Sequence, residues 1–262
     1  MHNRQQKGKR NMSQNVLVVH GGGPTAVINA SLYGVIEEAK RNPEVGKVYG
    51  AIGGTGAIFS ETFIDLTSFN DEKLKLLLHT PASAIGSSRY PLYEKDYEKM
   101  VDIFKKHDIK YVLLNGGNGT MDACGHIYEV CKDQDIKVVG IPKTIDNDIA
   151  MTDHSPGYGS AARFIAASTQ EVGEDVKSLP IHVCIMEAMG RNAGWITAAS
   201  ALARRKQGDA PHLIYLPERN FNEDEFLEDV AALQKKQGGV VVLVSEGLHD
   251  KNGESIVPPI FK

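Results

Sequence analysis

Short runs of β-branched and other apolar residues alternate with longer amphipathic stretches over almost the whole chain. The apolar runs have the length of strands, and the amphipathic stretches have the period of helices. The predicted strands are Val16–His20, Lys47–Ile52, Tyr111–Asn115, Lys137–Ile141, His182–Met186, His212–Leu216 and Val240–Ser245. The predicted helices are Thr25–Arg41, Asp71–His79, Glu94–His107, Met121–Lys132, Gly159–Val176, Ala193–Arg204 and Asn222–Gln237. This alternation predicts an α/β fold with mainly parallel sheets covered by helices.

The strands are almost continuously apolar, which is typical of sheets that are buried on both faces. The 262 residues suffice for one large domain or two small ones. We expect two lobes, 15–156 and 157–262, with a boundary near Pro156, where a polar loop gives way to a long helix. Residues 1–14 are polar and basic without a hydrophobic segment, so we expect a disordered leader there.

The composition of the chain limits the kinds of binding partner that we expect. A formal net charge of −4 gives no reason to expect nucleic acid or an anionic membrane. No apolar run approaches the ~20 residues that cross a bilayer. Cys124, Cys131 and Cys184 lack metal-ligand spacing, and we expect reduced, buried thiols in a cytoplasmic protein. Any anion site must therefore be built locally, from backbone amides and a few cations.

Four segments follow predicted strands, and three of them are rich in glycine: 20–24, 53–56, 116–120 and 142–148. Ligands of open α/β sheets bind outside the carboxyl ends of the strands, so these loops predict a phosphate-lined cleft. A single glycine loop is more often a tight turn with positive φ, and we prefer that interpretation for 53–56. Loop 116–120 is followed by no Gly-Lys-Ser/Thr, so it lacks the lysine of a P-loop.

The segment PKTIDND (142–148) places Lys143 beside two acids, Asp146 and Asp148. We expect the two carboxylates to point to opposite sides and to have different roles. One could accept a proton from a hydroxyl group, while the other faces a metal ion or orients its neighbour. Alternatively, Asp and Asn here only cap turns. The adjacent cation favours an active site.

Further charged residues follow strands or lie in turns. Arg191, near a helix N-terminus, could clamp a phosphoryl group, although taken alone it could equally be a surface arginine. Arg89 lies in the turn 86–90, and Glu246 ends the last strand, where it could accept hydrogen bonds from a sugar. Together these residues predict phosphoryl transfer to a hydroxyl group.

The motifs resemble those of the 6-phosphofructokinase family, most closely its pyrophosphate-dependent branch and atypical ATP-using relatives. The similar segments are GGGPTAVINAS (21–31), GSSRYP (86–91), GGNGT (116–120), GIPKTIDND (140–148), MEAMGRNAGW (186–195) and SEG (245–247). The resemblance implies the phosphofructokinase fold, with two Rossmann-like lobes that bind the phosphoryl donor (15–156) and the sugar phosphate (157–262). It implies a cytoplasmic, homo-oligomeric enzyme of glycolysis that uses Mg²⁺, fructose 6-phosphate, and ATP or pyrophosphate.

The resemblance also implies roles for individual residues. Asp146 resembles the general base, with Asp148 beside it, and Arg191 resembles an arginine that stabilises charge in the transition state. Lys143 and Thr144 complete the implied catalytic set. The implied sugar-binding residues are Thr144, Asp146, Met189, Gly190, Arg191 and Glu246, and the implied donor-binding residues are Gly22, Gly23, Arg89, Tyr90, Gly117, Asn118, Gly119 and Thr120.

Three departures from the family pattern affect these expectations. Asn118 stands where many members have a metal-associated aspartate, so it offers Mg²⁺ an oxygen without charge. His182 stands near the position of an arginine that a neighbouring subunit supplies. The chain ends shortly after SEG, so we expect a truncated chain, for which a non-catalytic sugar-phosphate- or nucleotide-binding fragment is the alternative. A kinase acting on NAD or a lipid would explain the glycine loop but not PKTIDND or MGR.

Gly119 and Lys143 bear on the donor. In the family, an aspartate at the position of Gly119 repels the α-phosphate of ATP, whereas glycine leaves room for it. Lys143 points to pyrophosphate, since the common bacterial ATP enzymes of the family have glycine at that position, yet a lysine attracts either donor without blocking space. We therefore expect ATP as the donor, with pyrophosphate as the alternative.

Overall fold

The computed structural model of the protein describes residues 14–256, so the expected leader lies outside the described residues except for Gln14. The described chain forms two compact units, one ending at Lys143 and the other beginning at Thr144. The boundary predicted from the sequence lies near Pro156. The segment after Lys143 belongs to the second unit because Thr144 pairs with Gly157 and its N–H donates to the carbonyl of Pro156 at 3.1 Å.

The first unit contains one five-stranded sheet. Its strands are β1 (Gln14–Gly21), β2 (Val45–Ala51), β3 (Phe63–Asp65), β4 (Ile109–Gly116) and β5 (Lys137–Pro142). They lie in the order β3-β2-β1-β4-β5, and all neighbours are parallel except β2 and β3, which are antiparallel. The helices are α1 (Val27–Arg41), α2 (Gly56–Phe59), α3 (Asp71–Lys75), α4 (Glu94–Lys106) and α5 (Asn118–Cys131).

Strand β1 shows why the first unit needs helices on both sides of its sheet. Leu17 and Val19 pack in a core with residues of α4 and α5. Val16 and Val18 point to the opposite face, where they pack in a second core with residues of α1. All four side chains are buried. The expected burial of the sheet on both faces is therefore confirmed for this strand.

The second unit contains a three-stranded parallel sheet. Its strands are β6 (Val183–Ala188), β7 (Leu213–Tyr215) and β8 (Val240–Ser245), in the order β6-β8-β7. Its helices are α6 (Tyr158–Ser178), α7 (Trp195–Ala199) and α8 (Glu223–Gln237). Val241 and Leu243 of β8 form the centre of its core, with residues of α6 and α7 around them.

The α/β class with mainly parallel sheets is confirmed, and each predicted strand overlaps a strand of the structure. Strand β3 and helix α2 were not predicted. Two predicted helices are shorter and end in 3₁₀ turns: α3 is followed by Leu76–His79 and α7 by Ser200–Ala203. Within residues 14–256, no helix combines the length and hydropathy that a membrane span requires.

Candidate functional site

The glycine loops of the first unit meet at the centre of its sheet. Strands β1 and β4 are parallel neighbours, and Gly21 pairs in register with Gly116 at their carboxyl ends. After β1 the chain continues to β2 on one side, whereas after β4 it continues to β5 on the other. Such a reversal of strand order opens the crevice in which open α/β sheets bind ligands. The predicted donor-binding glycines directly follow these two strand ends.

Thr120 explains why Gly21 and Gly116 lack side chains. A Cβ atom at Gly21 or Gly116 would lie 2.4 Å or 2.3 Å from Thr120 Oγ1, too close for any side chain. Thr120 itself is only 7% exposed, so it fills the crevice between the two strand ends. At Gly119, in contrast, a Cβ atom would meet nothing within 4 Å. The close packing of the loop therefore requires glycine at 21 and 116 but not at 119.

The N-terminus of α5 is open to an anion. The helix begins at Asn118, directly after Gly117, and has no acidic residue in its first turn. The first amides of a helix have no partner within it and carry a partial positive charge, which suits a phosphate. Asn118 is half-buried and Gly119 is exposed, so both lie at the surface of this helix end.

Lys143 connects the two glycine loops. Its backbone N–H donates to the carbonyl of Gly116 at 2.9 Å, and its Nζ donates to the carbonyl of Gly23. The side chain is only 4% exposed. The charge that a P-loop lysine would supply is therefore present at the loops, although it comes from the end of β5.

His20 is a buried residue of this site that the sequence analysis did not single out. It ends β1 next to the glycines and has no exposed surface. Ser83 Oγ donates to the carbonyl of Gly86 at 2.6 Å and lies 2.8 Å from His20 Nδ1, so Nδ1 carries the proton. Nε2 is then a buried acceptor without a hydrogen-bond partner among residues 14–256. Burial, followed by the charge of Lys143, lowers the pKa of His20 to about 4, so the imidazole is neutral.

The turn 86–89 lies against the first glycine loop. The N–H of Gly22 donates to Ser88 O at 3.0 Å, and Ser87 Oγ donates to Gly22 O at 2.6 Å. A cavity of about 320 Å³ is lined by these residues and by Arg89, whose side chain is exposed.

The loop 53–56 and the residue after Arg89 have structural contacts. Gly53 and Gly54 have φ of +95° and +79°, so the interpretation of this loop as a tight turn is confirmed. Tyr90 packs on Phe59, with ring centroids 5.8 Å apart.

In the second unit, Arg191 joins the two predicted acids. Its Nε donates to Asp146 Oδ2 at 3.0 Å, and its Nη2 donates to Asp148 Oδ2 at 2.7 Å. The expectation that the two carboxylates point to opposite sides is wrong, since one guanidinium contacts both. Even in a fully extended segment, alternate residues would share a face and not point to opposite sides. A positive φ at Asn147, +57°, also turns the chain between them.

Glu246 holds the turn that carries Arg191. Its Oε1 accepts hydrogen bonds from the N–H groups of Gly190 and Arg191 at 2.9 and 2.8 Å. The backbone of this turn is unusual, with φ of +141° at Gly190 and +51° at Arg191. One oxygen of the predicted sugar-binding carboxylate is therefore engaged by the protein itself. Gly247 lies so close that a Cβ atom there would be 1.8 Å from Arg191 O.

The remaining predicted residues of the second unit differ in exposure. Thr144 is 7% exposed, and its Oγ1 accepts a hydrogen bond from the N–H of Asp146 at 3.1 Å. Met189 is 62% exposed and precedes the Arg191 turn. Asp148 Oδ1 is buried and has no hydrogen-bond partner in the described part of the chain. No group of three or more His, Cys, Asp or Glu side chains between residues 14 and 256 could hold a metal ion alone.

Comparison with known proteins identifies the family. A family model described as phosphofructokinase matches residues 15–260. The pyrophosphate–fructose 6-phosphate 1-phosphotransferase of Rhodospirillum rubrum is 44% identical over 244 residues, which are 92% of this chain and 60% of the relative. A more distant relative, the ATP-dependent 6-phosphofructokinase of Amycolatopsis methanolica, is 30% identical over 88% of this chain and 50% of its own.

A solved structure gives the same result. The pyrophosphate-dependent phosphofructokinase from Marinobacter aquaeolei is 40% identical, with a TM-score of 0.84, over 91% of this chain and 62% of that protein. The expected phosphofructokinase fold is thereby confirmed. The chain spans about 60% of the length of the Rhodospirillum rubrum and Marinobacter aquaeolei proteins. By sequence and by fold, the chain belongs to the phosphofructokinase family.

Proposed function

We propose that the protein transfers a phosphoryl group from ATP to the 1-hydroxyl of fructose 6-phosphate, as a cytoplasmic enzyme of glycolysis. The observation that supports this most directly is the contact of Arg191 with both Asp146 and Asp148. Phosphoryl transfer requires a group that accepts a proton and a cation that stabilises the charge on the transferred oxygens. These side chains supply both. The three free cysteines are consistent with a reducing compartment.

Asp146 is the proposed general base. Arg191 engages its Oδ2, and no described residue donates to its Oδ1, which is the atom proposed to take the proton of the sugar hydroxyl. The hydroxyl oxygen then forms a bond to the terminal phosphorus of the donor, while the bond from that phosphorus to the leaving phosphate breaks. Asp148 holds the other end of the guanidinium, so that Arg191 is oriented toward the reacting group. Thr144 orients the base through the N–H of Asp146.

The donor is proposed to bind at the glycine loops of the first unit. The amides after Gly22 and at the start of α5 would bind phosphate oxygens, and the ammonium group of Lys143 would offset their charge. Arg89 is exposed beside Gly22, where it can reach a phosphate. Positioning and electrostatic stabilisation then supply most of the catalysis.

Mg²⁺ is the proposed cofactor, and the oxygen ligands at hand suit a metal that arrives with the donor. Proteins usually bind Mg²⁺ through one or two side-chain oxygens together with substrate phosphates and water. Each unit offers such an atom by itself: the amide oxygen of Asn118 in the first unit, and the buried, unpartnered Oδ1 of Asp148 in the second. No larger ligand cluster is present among residues 14–256. When bound, Mg²⁺ would share the negative charge of the transferred phosphoryl group.

Pyrophosphate is the second candidate for the donor. The open space at Gly119 supports ATP, since the protein would tolerate a side chain there and glycine is not needed for packing. The names of the relatives at 40–44% identity support pyrophosphate. Both candidates require the same base and the same acceptor.

The direct test supplies the chain with fructose 6-phosphate, Mg²⁺ and either donor, and measures fructose 1,6-bisphosphate. Turnover with ATP supports the proposal. Turnover with pyrophosphate alone would show that pyrophosphate, and not ATP, is the donor. If calorimetry detects binding of fructose 6-phosphate and nucleotide without turnover, the chain is a binding module instead. Analytical ultracentrifugation of the same sample tests the proposed homo-oligomer.

A further inference from the structure

Asn147, between the two acids, has an unusual backbone conformation. Its φ is +57°, and its side chain is buried, with 7% of the residue exposed. For a residue other than glycine, a positive φ means the left-handed region, which is unfavourable for most side chains, although asparagine is among the residues that adopt it most readily. At Asn147, which is buried, the contacts of the side chain can hold this conformation.

The amide group of Asn147 makes these contacts. Its Oδ1 accepts a hydrogen bond from the N–H of Ser155 at 2.7 Å, and its Nδ2 donates to Asp153 O at 3.3 Å. Ser155 is completely buried, whereas Met151 in the middle of the loop is fully exposed. The side chain therefore closes the base of the loop 148–154 and fixes the turn between the acids at the same time.

The turn at Asn147 sets the distance between Asp146 and Asp148. Because peptide units are planar, the φ and ψ of the middle residue determine the Cα separation of its two neighbours. That separation is about 6.6 Å in an extended chain. It falls to about 5.4 Å at a residue with helical geometry of either hand. The positive φ takes Asn147 out of the extended conformation, and a shorter separation would help a single guanidinium to contact both carboxylates.

We propose that Asn147 is a positioning residue for phosphoryl transfer: its amide holds Asp146 and Asp148 at the spacing that Arg191 requires. The inference rests on the proposed function, in which Asp146 is the base. Asn147 acts through the turn and not on the reacting atoms. A displacement of about 1 Å in such a group can lower a rate ~100-fold.

Asn147→Gly tests the role of the amide, because glycine adopts a positive φ freely but offers no side-chain hydrogen bond. Met151→Gly is the matched control, since Met151 has a φ of +58° in the same loop and is exposed. We expect Asn147→Gly to lower kcat about tenfold or more while KM for the donor stays unchanged, and Met151→Gly to change neither. Thermal unfolding of both variants shows that each is folded.

Hydrogen exchange provides a readout independent of turnover. In Asn147→Gly, the amide of Ser155 and the Nε–H of Arg191 should exchange faster than in wild type, whereas Met151→Gly should leave both unchanged. If Asn147→Gly does not fold, Asn147→Asp replaces it, because a carboxylate keeps the acceptor for Ser155 and loses only the bond to Asp153.

Two results overturn the inference: a kcat of the folded variant within about twofold of wild type, or unchanged exchange at Arg191. If the wild-type chain transfers no phosphoryl group from either donor, the proposed function fails. In that case, hydrogen exchange at the Nε–H of Arg191 is the measurement that decides whether Asn147 positions Asp146 and Asp148.

Discussion

Arg191 and Asp148 are in direct contact, with 2.7 Å between Nη2 and Oδ2, and the same guanidinium reaches Asp146 through Nε at 3.0 Å. The side chains of Asp146 and Asp148 are 14% and 22% exposed, whereas that of Arg191 is 55% exposed. Ion pairs with one exposed partner contribute little to stability. We expect the value of this cluster to lie in orientation, because Arg191 and the proposed base Asp146 hold each other in place.

Replacing Asp146, the proposed base, should abolish turnover without abolishing binding of the donor. Asp146→Asn keeps the size and an oxygen for Arg191 but cannot accept the proton, so we expect kcat to fall ~10²–10⁴-fold. Calorimetry should find affinity for the donor within a few-fold of wild type. Asp153→Asn is the matched control, since Asp153 is an exposed acid of the adjacent loop. Undiminished turnover in Asp146→Asn would refute the assignment of the base.

The donor preference should respond to position 119. Gly119→Asp should fold, because a Cβ atom there meets no neighbour within 4 Å and an acid in the first turn of α5 interacts well with the helix dipole. Its charge should repel the α-phosphate of ATP and lower kcat/KM for ATP about tenfold, with a smaller effect on pyrophosphate. Gly119→Asn adds similar bulk without charge and separates the two effects. An unchanged ratio of the two donors in both variants would show that this residue does not select the donor.

The turn that carries Arg191 should not tolerate a side chain at position 247. In Gly247→Ala the new methyl group would lie 1.8 Å from Arg191 O, so the turn must move. We expect a loss of about 1–3 kcal/mol in the free energy of unfolding, measured with urea, and a reduced kcat. Gly34→Ala in α1 is the control, since nothing lies within 4 Å and helical alanine should stabilise by about 0.5–1 kcal/mol. Equal stability of the two variants would contradict the close contact.

Stability should fall as the pH drops from about 6.5 toward 4, partly through His20. Its pKa is lowered from 6.5 to about 4 in the folded chain, mainly by burial. Between these values the unfolded chain binds a proton that the folded chain does not, so acid favours unfolding. The effect amounts to roughly 3 kcal/mol at most.

Urea unfolding at several pH values measures the contribution of His20. The pH dependence should be shallower in His20→Asn, whereas Ser83→Ala, which keeps the imidazole, should retain the slope of wild type. Identical slopes in wild type and His20→Asn would exclude a contribution from His20.

Sequence patterns predicted the parallel strands because those strands are apolar on both faces, and that signal is local. Strand β3 was not predicted because it has only three residues. Its pairing with β2 defines it more than its own composition does. Helix α2 has four residues and follows two glycines, which favour a turn. Short elements of this kind depend on contacts that no local pattern contains.

The sequence predicted which residues belong to the candidate site, but not which of their side chains contact each other. Asp146 and Arg191 are 45 residues apart, so their pairing depends on the fold. His20 looked like an ordinary strand residue, and its place before three glycines was the only signal. The conformation of Asn147 was equally invisible, because asparagine suits turns of several kinds. The roles proposed for these residues stay predictions until the variants are measured.

The packing of Thr120 against Gly21 and Gly116 has an evolutionary consequence. Because the threonine hydroxyl occupies the space that two missing side chains would need, the three positions cannot change independently. A homologue with alanine at position 21 should carry a smaller residue at 120, whereas position 116 should stay glycine in either case, because a Cβ atom there would also lie 2.5 Å from the carbonyl oxygen of Gly21. Covariation between positions 21 and 120, with glycine kept at 116, would therefore record the shape of the crevice in any sufficiently deep set of related sequences.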